Sequence, residues 1–227
     1  MATVWSIVVA GGSGRRFGAP KQYAALAGRL VLEWSVEACR SCSTGVVLVL
    51  PDADDTEAGI PSDRHGADLV VSGGPTRAES VRRGLSAVPG DAEVIVVHDA
   101  ARPLASPDLF RAVVGALEEE GVDGAVPGLM PADTIKVVDG TGCVERTLDR
   151  ATLVAVQTPQ AFRAGLLRRA HEQAAPGATD DATVVERFGG RVAVVPGEAT
   201  NLKITDPGDL GAAERILAER QAGAGQR

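Results

Sequence analysis

Residue types that handle phosphate crowd the start of the chain. The stretch 9–23 reads VAGGSGRRFGAPKQY and brings Gly11, Gly12, Gly14 and Gly18, Arg15, Arg16 and Lys21 together, directly behind the apolar run WSIVVA. Glycines let backbone N–H groups approach an anion closely, and Arg16 and Lys21 add two full charges. Neither common phosphate loop fits. A dinucleotide fingerprint started from Gly12 and Gly14 needs a third glycine where Phe17 stands. A Walker loop from Gly12 also meets Phe17, and Lys21 is followed by Gln22. A stored dinucleotide's pyrophosphate is usually met by backbone and helix dipole alone. Transfer at phosphorus instead builds negative charge on the leaving oxygens, and catalysis there is mainly positioning and electrostatics. Two cations beside a glycine loop therefore suit pyrophosphate departure; the alternative is that Arg15 and Arg16 are solvated arginines at a helix start.

Those cations stand out against the chain as a whole. The 227 residues carry a net charge of −7, which argues against a nucleic-acid-binding face. An anionic ligand must then be met by a local positive cluster. Only three of the 23 basic residues are lysines, Lys21, Lys136 and Lys203. Base composition of the gene accounts for such a bias, yet ammonium and guanidinium are not interchangeable at a shaped site. Cys39 and Cys42 tempt a redox or zinc reading, but they close a helical pattern, whereas a reactive thiol favours a helix N-terminus. Neither a second cysteine pair nor a spaced histidine pair completes a zinc site. With Cys143 they are expected to be small buried apolar residues.

The elements that must position these groups follow from the apolar runs. Valine-rich stretches recur at 5–10, 45–51, 67–74, 93–100, 123–128 and 191–197 without polar alternation, the pattern of strands buried on both faces of a mostly parallel sheet. Between them lie helical patterns with start signals. Thr76–Glu79 matches a capping box, and Ser106-Pro107 and Asp206-Pro207 set a capping side chain before a proline. The alternation gives an α/β, three-layer Rossmann-like fold, read as a single domain over 1–227. Segment 133–150 breaks the rhythm, with two short strands around Asp139-Gly140-Thr141-Gly142. An isolated ribbon is marginal in water, so this hairpin is expected to pack on a second copy of the chain or on its own domain. The tail QAGAGQR should fray. No run is long enough for a membrane helix, and the N-terminus has no basic region of a signal peptide, so a cytoplasmic protein is expected.

Five motifs in order make the reading specific. AGGSGRRFGAPKQY, VVHDAARP (96–103), TPQAF (158–162), TDDATVVE (179–186) and GEATNLKITDPGDL (197–210) together resemble the 2-C-methyl-D-erythritol 4-phosphate cytidylyltransferases of the non-mevalonate isoprenoid pathway. The Arg16-to-Pro20 spacing is shorter than in many members. The resemblance implies CTP over the first loop, near Ala10, Gly11, Gly12 and Gly14. It implies that Arg16, Lys21 and Lys203 steady the α-phosphorus, and that Gly73, Gly74 and Ser80 read the pyrimidine, although 73–81 also suits an ordinary capped helix start. Asp99 would stand between the nucleotide and the acceptor. A carboxylate among phosphates needs an intervening cation, which points to magnesium at Asp99; the alternative is that Asp99 caps a turn. Acceptor contacts carried over are Asp99, Arg102, Thr134, Arg150, Thr158 and Thr179, with His98 structural. The hairpin becomes a homodimerisation arm whose Arg150 reaches the neighbouring site. The implied reaction moves CMP from CTP to methylerythritol phosphate, releasing pyrophosphate, with no nucleic-acid or membrane partner. Two alternatives stay open: a ribitol 5-phosphate cytidylyltransferase and a non-catalytic nucleotide-binding regulator.

Overall fold

The structure, a computed structural model, describes residues 2–12, 17–51, 65–175 and 177–224. The elements in chain order are β1 (Val4–Val9), β2 (Ala25–Leu26), β3 (Arg29–Leu30), α1 (Val31–Arg40), β4 (Gly45–Leu50), β5 (Leu69–Ser72), α2 (Arg77–Ala87), β6 (Val94–Asp99), α3 (Pro107–Gly115), β7 (Gly124–Leu129), β8 (Lys136–Val138), β9 (Val144–Thr147), β10 (Ala155–Val156), β11 (Gln160–Arg163), α4 (Ala164–Gln173), α5 (Asp181–Arg187), β12 (Val192–Pro196) and α6 (Gly208–Ala224). The main sheet runs β10-β7-β11-β6-β1-β4-β5, with β12 paired to β7.

All six expected strands form. Alternate residues of each inner strand feed opposite faces. Val8, Val46, Leu48 and Val96 pack under α1 and α3, while Ile7, Val47, Val49 and Val97 pack under α2, α4 and α5. Because both faces need apolar atoms, the strands read as continuous valine runs rather than alternating ones. The edges depart from this: β5 and β12 are only partly buried, and Val194 is exposed. Gly84 lets α2 lie against the sheet, since a Cβ there would sit 2.6 Å from the Ile7 side chain.

One inner strand of the main sheet escapes the apolar-run argument. β11 inserts antiparallel between β6 and β7, pairing Gln160 with Val97 and Ala161 with both Val96 and Ala125. Its sequence QAFR is too short and too polar to show as an apolar run.

Caps follow the sequence with one change. Thr76 Oγ1 accepts from the Glu79 N–H at 3.1 Å, and Ser106 Oγ accepts from the Leu109 N–H at 3.1 Å. Ahead of α6 the capping carboxylate is that of Asp209, which takes the N–H groups of Thr205 and Asp206, in place of the expected Asp206 side chain. α6 also continues into the tail expected to fray, as far as Ala224.

The hairpin stands as a separate two-stranded sheet, β8 with β9. All four β9 residues are exposed in the single chain, so the ribbon does not lie on its own domain. Asp139 Oδ1 collects the N–H groups of Thr141 and Cys143 to close the turn, and Gly142 takes the left-handed conformation at φ +85°. Cys143 is consequently exposed, contrary to the expectation of burial, because it lies on this ribbon rather than under a helix. Cys39 is buried and Cys42 half-buried, and burial pushes both thiols above their ordinary range. No helix among the described residues is long and apolar enough to cross a membrane.

Candidate active site

The parallel strands β1 and β6 end beside one another, at Val9 and Asp99, so the chain segments that follow them frame a crevice at the carboxyl edge of the sheet. Ligands of open α/β sheets bind at this edge. Two cavities open there. The first, of 310 Å³, is lined by Ala10, Gly11, Gly12, Lys21, Gly74 and Ser80 among others. The second, of 260 Å³, is lined by Arg102, Thr158, Thr179 and Asp180 among others. Arg77, Asp99 and Lys203 border both. The site is therefore two lobes divided by one charged wall.

That wall is an ordered chain of ion pairs and hydrogen bonds. Lys203 Nζ lies 2.6 Å from Asp99 Oδ2, and Arg77 Nε lies 3.2 Å from Asp99 Oδ1. Arg77 Nη1 then reaches Asp181 Oδ2 at 2.7 Å, and His171 Nε2 lies 3.0 Å from Asp181 Oδ1. Burial alone would raise the Asp99 carboxyl, but Arg77 and Lys203 overcome it and hold the group well below the usual carboxylate range. Asp181 is likewise opposed by burial and lowered by Arg77 and His171. Burial would depress Arg77, yet the two carboxylates raise it above the ordinary arginine value. All three groups are thus ionised at neutral pH.

The charge balance explains how an acidic protein can hold anions. Lining side chains contribute Lys21, Arg77, Arg102 and Lys203 against the carboxylates Asp99 and Asp180. Two donors, Arg77 Nη2 and Arg102 Nε, are buried without a hydrogen-bond partner among the described residues. Oxygen-rich ligands suit such donors.

The lysines reach the site from opposite ends of the chain through one residue. The Ile204 N–H donates to Ala101 O at 2.7 Å, and Ile204 O accepts from Lys21 Nζ at 2.7 Å. Ile204 itself is fully buried with Leu26 and Leu104. Segment 198–204 is pinned further by Asn201 Nδ2, donating to Thr158 O at 2.9 Å, and by Gln157 Nε2, donating to Glu198 O at 2.9 Å.

His98 is fully buried and organises the turn after β6. Its Nδ1 lies 3.0 Å from Thr158 Oγ1 and its Nε2 lies 3.1 Å from Arg102 O. With the Thr158 hydroxyl donating to Nδ1, Nε2–H donates to the carbonyl. Burial pushes the imidazole down to about 4, so it is neutral at pH 7. Thr158 Oγ1 also accepts the Asp99 N–H at 3.1 Å. The Thr158 hydroxyl is thus occupied in holding Asp99 as well as bordering the second lobe. Arg102 Nη1 donates to Asn201 O at 2.7 Å, and burial lowers its guanidinium against the pull of Asp99.

In the first lobe the Ser80 hydroxyl accepts from the Gly74 N–H at 3.1 Å and donates to Gly74 O at 3.3 Å. It shapes the loop that borders the cavity. Gly73 is required by space: a Cβ there would lie 2.9 Å from Ser80 Oγ and 3.0 Å from Leu50 O.

The expected residues divide plainly. Ala10, Gly11, Gly12, Lys21, Gly74, Ser80, Asp99, Arg102, Thr158, Thr179 and Lys203 line the two lobes, and Gly73 supports them. Gly14 and Arg16 lie outside the described residues. Thr134 and Arg150 are exposed at the arm's root and line neither lobe of their own chain, where Arg150 Nη1 donates to Ala132 O at 2.6 Å. The expected site residues did not include Arg77, Asp181 or His171. The signal was the doubled Asp180-Asp181 at a helix start: Asp180 caps by accepting the Thr183 N–H at 3.0 Å, leaving Asp181 to find a buried partner.

As to a metal, no three acidic, cysteine or histidine side chains converge among the described residues. Asp99 offers a single carboxylate whose oxygens already meet cations. This suits a magnesium ion carried in on a triphosphate, which takes one or two carboxylates plus phosphates and water, rather than one caged by protein ligands.

A glycine-lined lobe and a polar lobe sharing a charged wall at the carboxyl edge of a mostly parallel sheet form the arrangement that a nucleotidyltransferase needs. The family model of the 2-C-methyl-D-erythritol 4-phosphate cytidylyltransferases matches residues 4–219, and the chain belongs to that family. A 2-C-methyl-D-erythritol 4-phosphate cytidylyltransferase of Rubrobacter xylanophilus is 44% identical over 228 residues, covering 97% of each chain. A bifunctional IspD/IspF enzyme of Clavibacter michiganensis is also 44% identical over 228 residues; the match covers 96% of this chain and 55% of that protein, so this chain spans about half of it. The crystal structure of 4-diphosphocytidyl-2C-methyl-D-erythritol synthase from Anaerococcus prevotii superposes with a TM-score of 0.81 at 30% identity, covering 96% of this chain and 99% of that one.

Proposed function

We infer that this chain transfers CMP from CTP to 2-C-methyl-D-erythritol 4-phosphate, releasing pyrophosphate. The observation that carries the reading is the Arg77–Asp99–Lys203 wall shared by the two lobes, which brings a nucleotide and an acceptor phosphate to the same cations. The acceptor's phosphate monoester is already ionised at neutral pH. One of its oxygens attacks the α-phosphorus in line; the new P–O bond forms as the bond to the bridging oxygen breaks, and pyrophosphate leaves with that electron pair. No protein base or covalent intermediate is required, in keeping with the neutral, buried His98.

Lys21 and Arg16 steady the triphosphate, and Lys203 passes from Asp99 to the reacting phosphates as charge builds. Asp99, released from Lys203 and still gripped by Arg77, orients an acceptor hydroxyl. Asp99 would be the protein ligand of a magnesium ion entering with the triphosphate, and that ion would supply charge neutralisation at the phosphate oxygens. Arg102 and Thr179 take the acceptor. Residues 1–227 act as one domain whose 133–150 arm pairs with a second copy, bringing the partner subunit's Thr134 and the partner subunit's Arg150 to the acceptor lobe. The protein works as a cytoplasmic homodimer.

The test is pyrophosphate release by purified protein with CTP, magnesium and each polyol phosphate. Release with methylerythritol phosphate is expected. Release only with ribitol 5-phosphate overturns the acceptor, and CTP binding without release from any acceptor overturns catalysis.

A further inference from the structure

The second lobe has an uneven lining. Every described residue that borders it is charged or polar, from Arg102 and Lys203 to Gln160 and Thr179, with one exception: Val156. This is the one wholly apolar side chain in a pocket otherwise built for hydroxyls and phosphate, and it is 39% exposed. Its backbone is well fixed. Val156 pairs with Gly128 across β10 and β7, and the Gln157 N–H that follows donates to Pro127 O at 2.8 Å. The Gln157 amide turns toward Glu198 and Asn201, so the apolar surface at this point is left to Val156.

The acceptor inferred above differs from a plain four-carbon polyol phosphate by one methyl branch. Polar groups cannot read that branch. A desmethyl analogue would keep every hydrogen bond and every phosphate contact, and so would satisfy Asp99, Arg102, Thr179 and Lys203 equally well. Discrimination has to come from apolar contact, which is favourable in proportion to the apolar area removed from water. We propose that Val156 is the specificity-determining residue that receives the C2 methyl of the acceptor and so separates the branched polyol phosphate from its unbranched analogue. This rests on the acceptor reading given under the proposed function.

The expected size is modest. One methyl group against an apolar surface is worth about 10- to 200-fold in kcat/KM, and a half-open position belongs at the low end of that range. The test compares kcat/KM for 2-C-methyl-D-erythritol 4-phosphate and D-erythritol 4-phosphate, with CTP saturating, in the wild type, Val156→Thr and Val156→Ala. Threonine keeps the shape while adding a hydroxyl, and alanine removes the contact surface; thermal unfolding checks that both variants fold. The wild type should favour the branched substrate by about tenfold, both variants should bring the preference to about threefold or less, and KM for CTP should stay unchanged. A preference that survives both substitutions overturns the proposal, as does an equal loss on both substrates. A wild type that uses both acceptors equally also overturns it while leaving the cytidylyltransferase reading intact. A wild type that uses neither acceptor refutes the acceptor reading itself, and the proposal falls with it.

Discussion

Replacing Lys203 by methionine separates catalysis from folding. The lysine is 43% exposed and Asp99 13% exposed, with Nζ 2.6 Å from Oδ2. An ion pair whose cation is this accessible is screened and contributes about 0–1 kcal/mol to stability. Stripping a buried carboxylate of its only partner would cost about 3–5 kcal/mol, but Arg77 still holds Asp99 Oδ1 at 3.2 Å, so the carboxylate is not abandoned. Methionine keeps an unbranched aliphatic stem at this exposed position. The stability loss should therefore stay near 1 kcal/mol, a fall in Tm of about 2–4 °C for a chain of this size. The catalytic loss should be far larger. Removing one preorganised group that stabilises transition-state charge costs about 10²–10³ in kcat, or about 3–4 kcal/mol. The measurement is steady-state pyrophosphate release at saturating CTP and methylerythritol phosphate, beside thermal unfolding of the same preparation. A kcat within about threefold of wild type would refute the role given to Lys203. A Tm loss of about 10 °C would refute the claim that Arg77 alone suffices to hold Asp99.

Asp181→Asn should show the opposite balance, because it removes one carboxylate from a buried pair with Arg77. A loss of about 3 kcal/mol is expected, seen as a Tm lower by about 6–12 °C. The buried His98 predicts a pH effect on stability. Its folded value of about 4 lies below the ordinary 6.5, so the unfolded chain binds the extra proton between those values. Its contribution is complete above pH 6.5 and is lost as pH falls toward 4, a total of about 3 kcal/mol. Urea unfolding across this window should give a steeper slope for wild type than for His98→Gln; identical slopes would remove the assignment. The arm predicts complementation: chains carrying Arg150→Ala and chains carrying Lys21→Ala, each inactive alone, should recover about a quarter of wild-type activity after mixing and reassociation. No recovery would mean that Arg150 serves its own chain.

Strands buried on both faces were legible because every exposed position is missing from them: Val46–Leu50 has no polar residue to betray a solvent side. β11 was not, because a four-residue insert that borrows its burial from β6 and β7 needs little apolar sequence of its own. In the site, Lys21, Asp99 and Lys203 were recognisable from motifs, but their connection through Ile204 was not. A main-chain carbonyl leaves no trace in residue type, and the two lysines are 182 positions apart. Asp181 was hidden by its neighbour, since a carboxylate at a helix start is fully explained by capping until two stand together. The Thr158 hydroxyl looked like a ligand contact from sequence, yet the structure engages it with His98 and the Asp99 backbone.

The wall between the lobes has a thermodynamic consequence. Arg77 and Lys203 face both cavities, so whatever fills one lobe changes the electrostatic potential felt in the other. On the proposed reading, the two substrates are then not independent titrants of separate sites. An anion that draws Lys203 away from Asp99 leaves a more negative carboxylate toward the acceptor, favouring hydroxyl donors there while weakening the hold on a second phosphate. Because such coupling is reciprocal, the acceptor must shift the affinity for the nucleotide by the same factor. Dissociation constants measured one ligand at a time will differ from those of the ternary complex, and a single molecule spanning both lobes would bind with an affinity that neither half alone foretells.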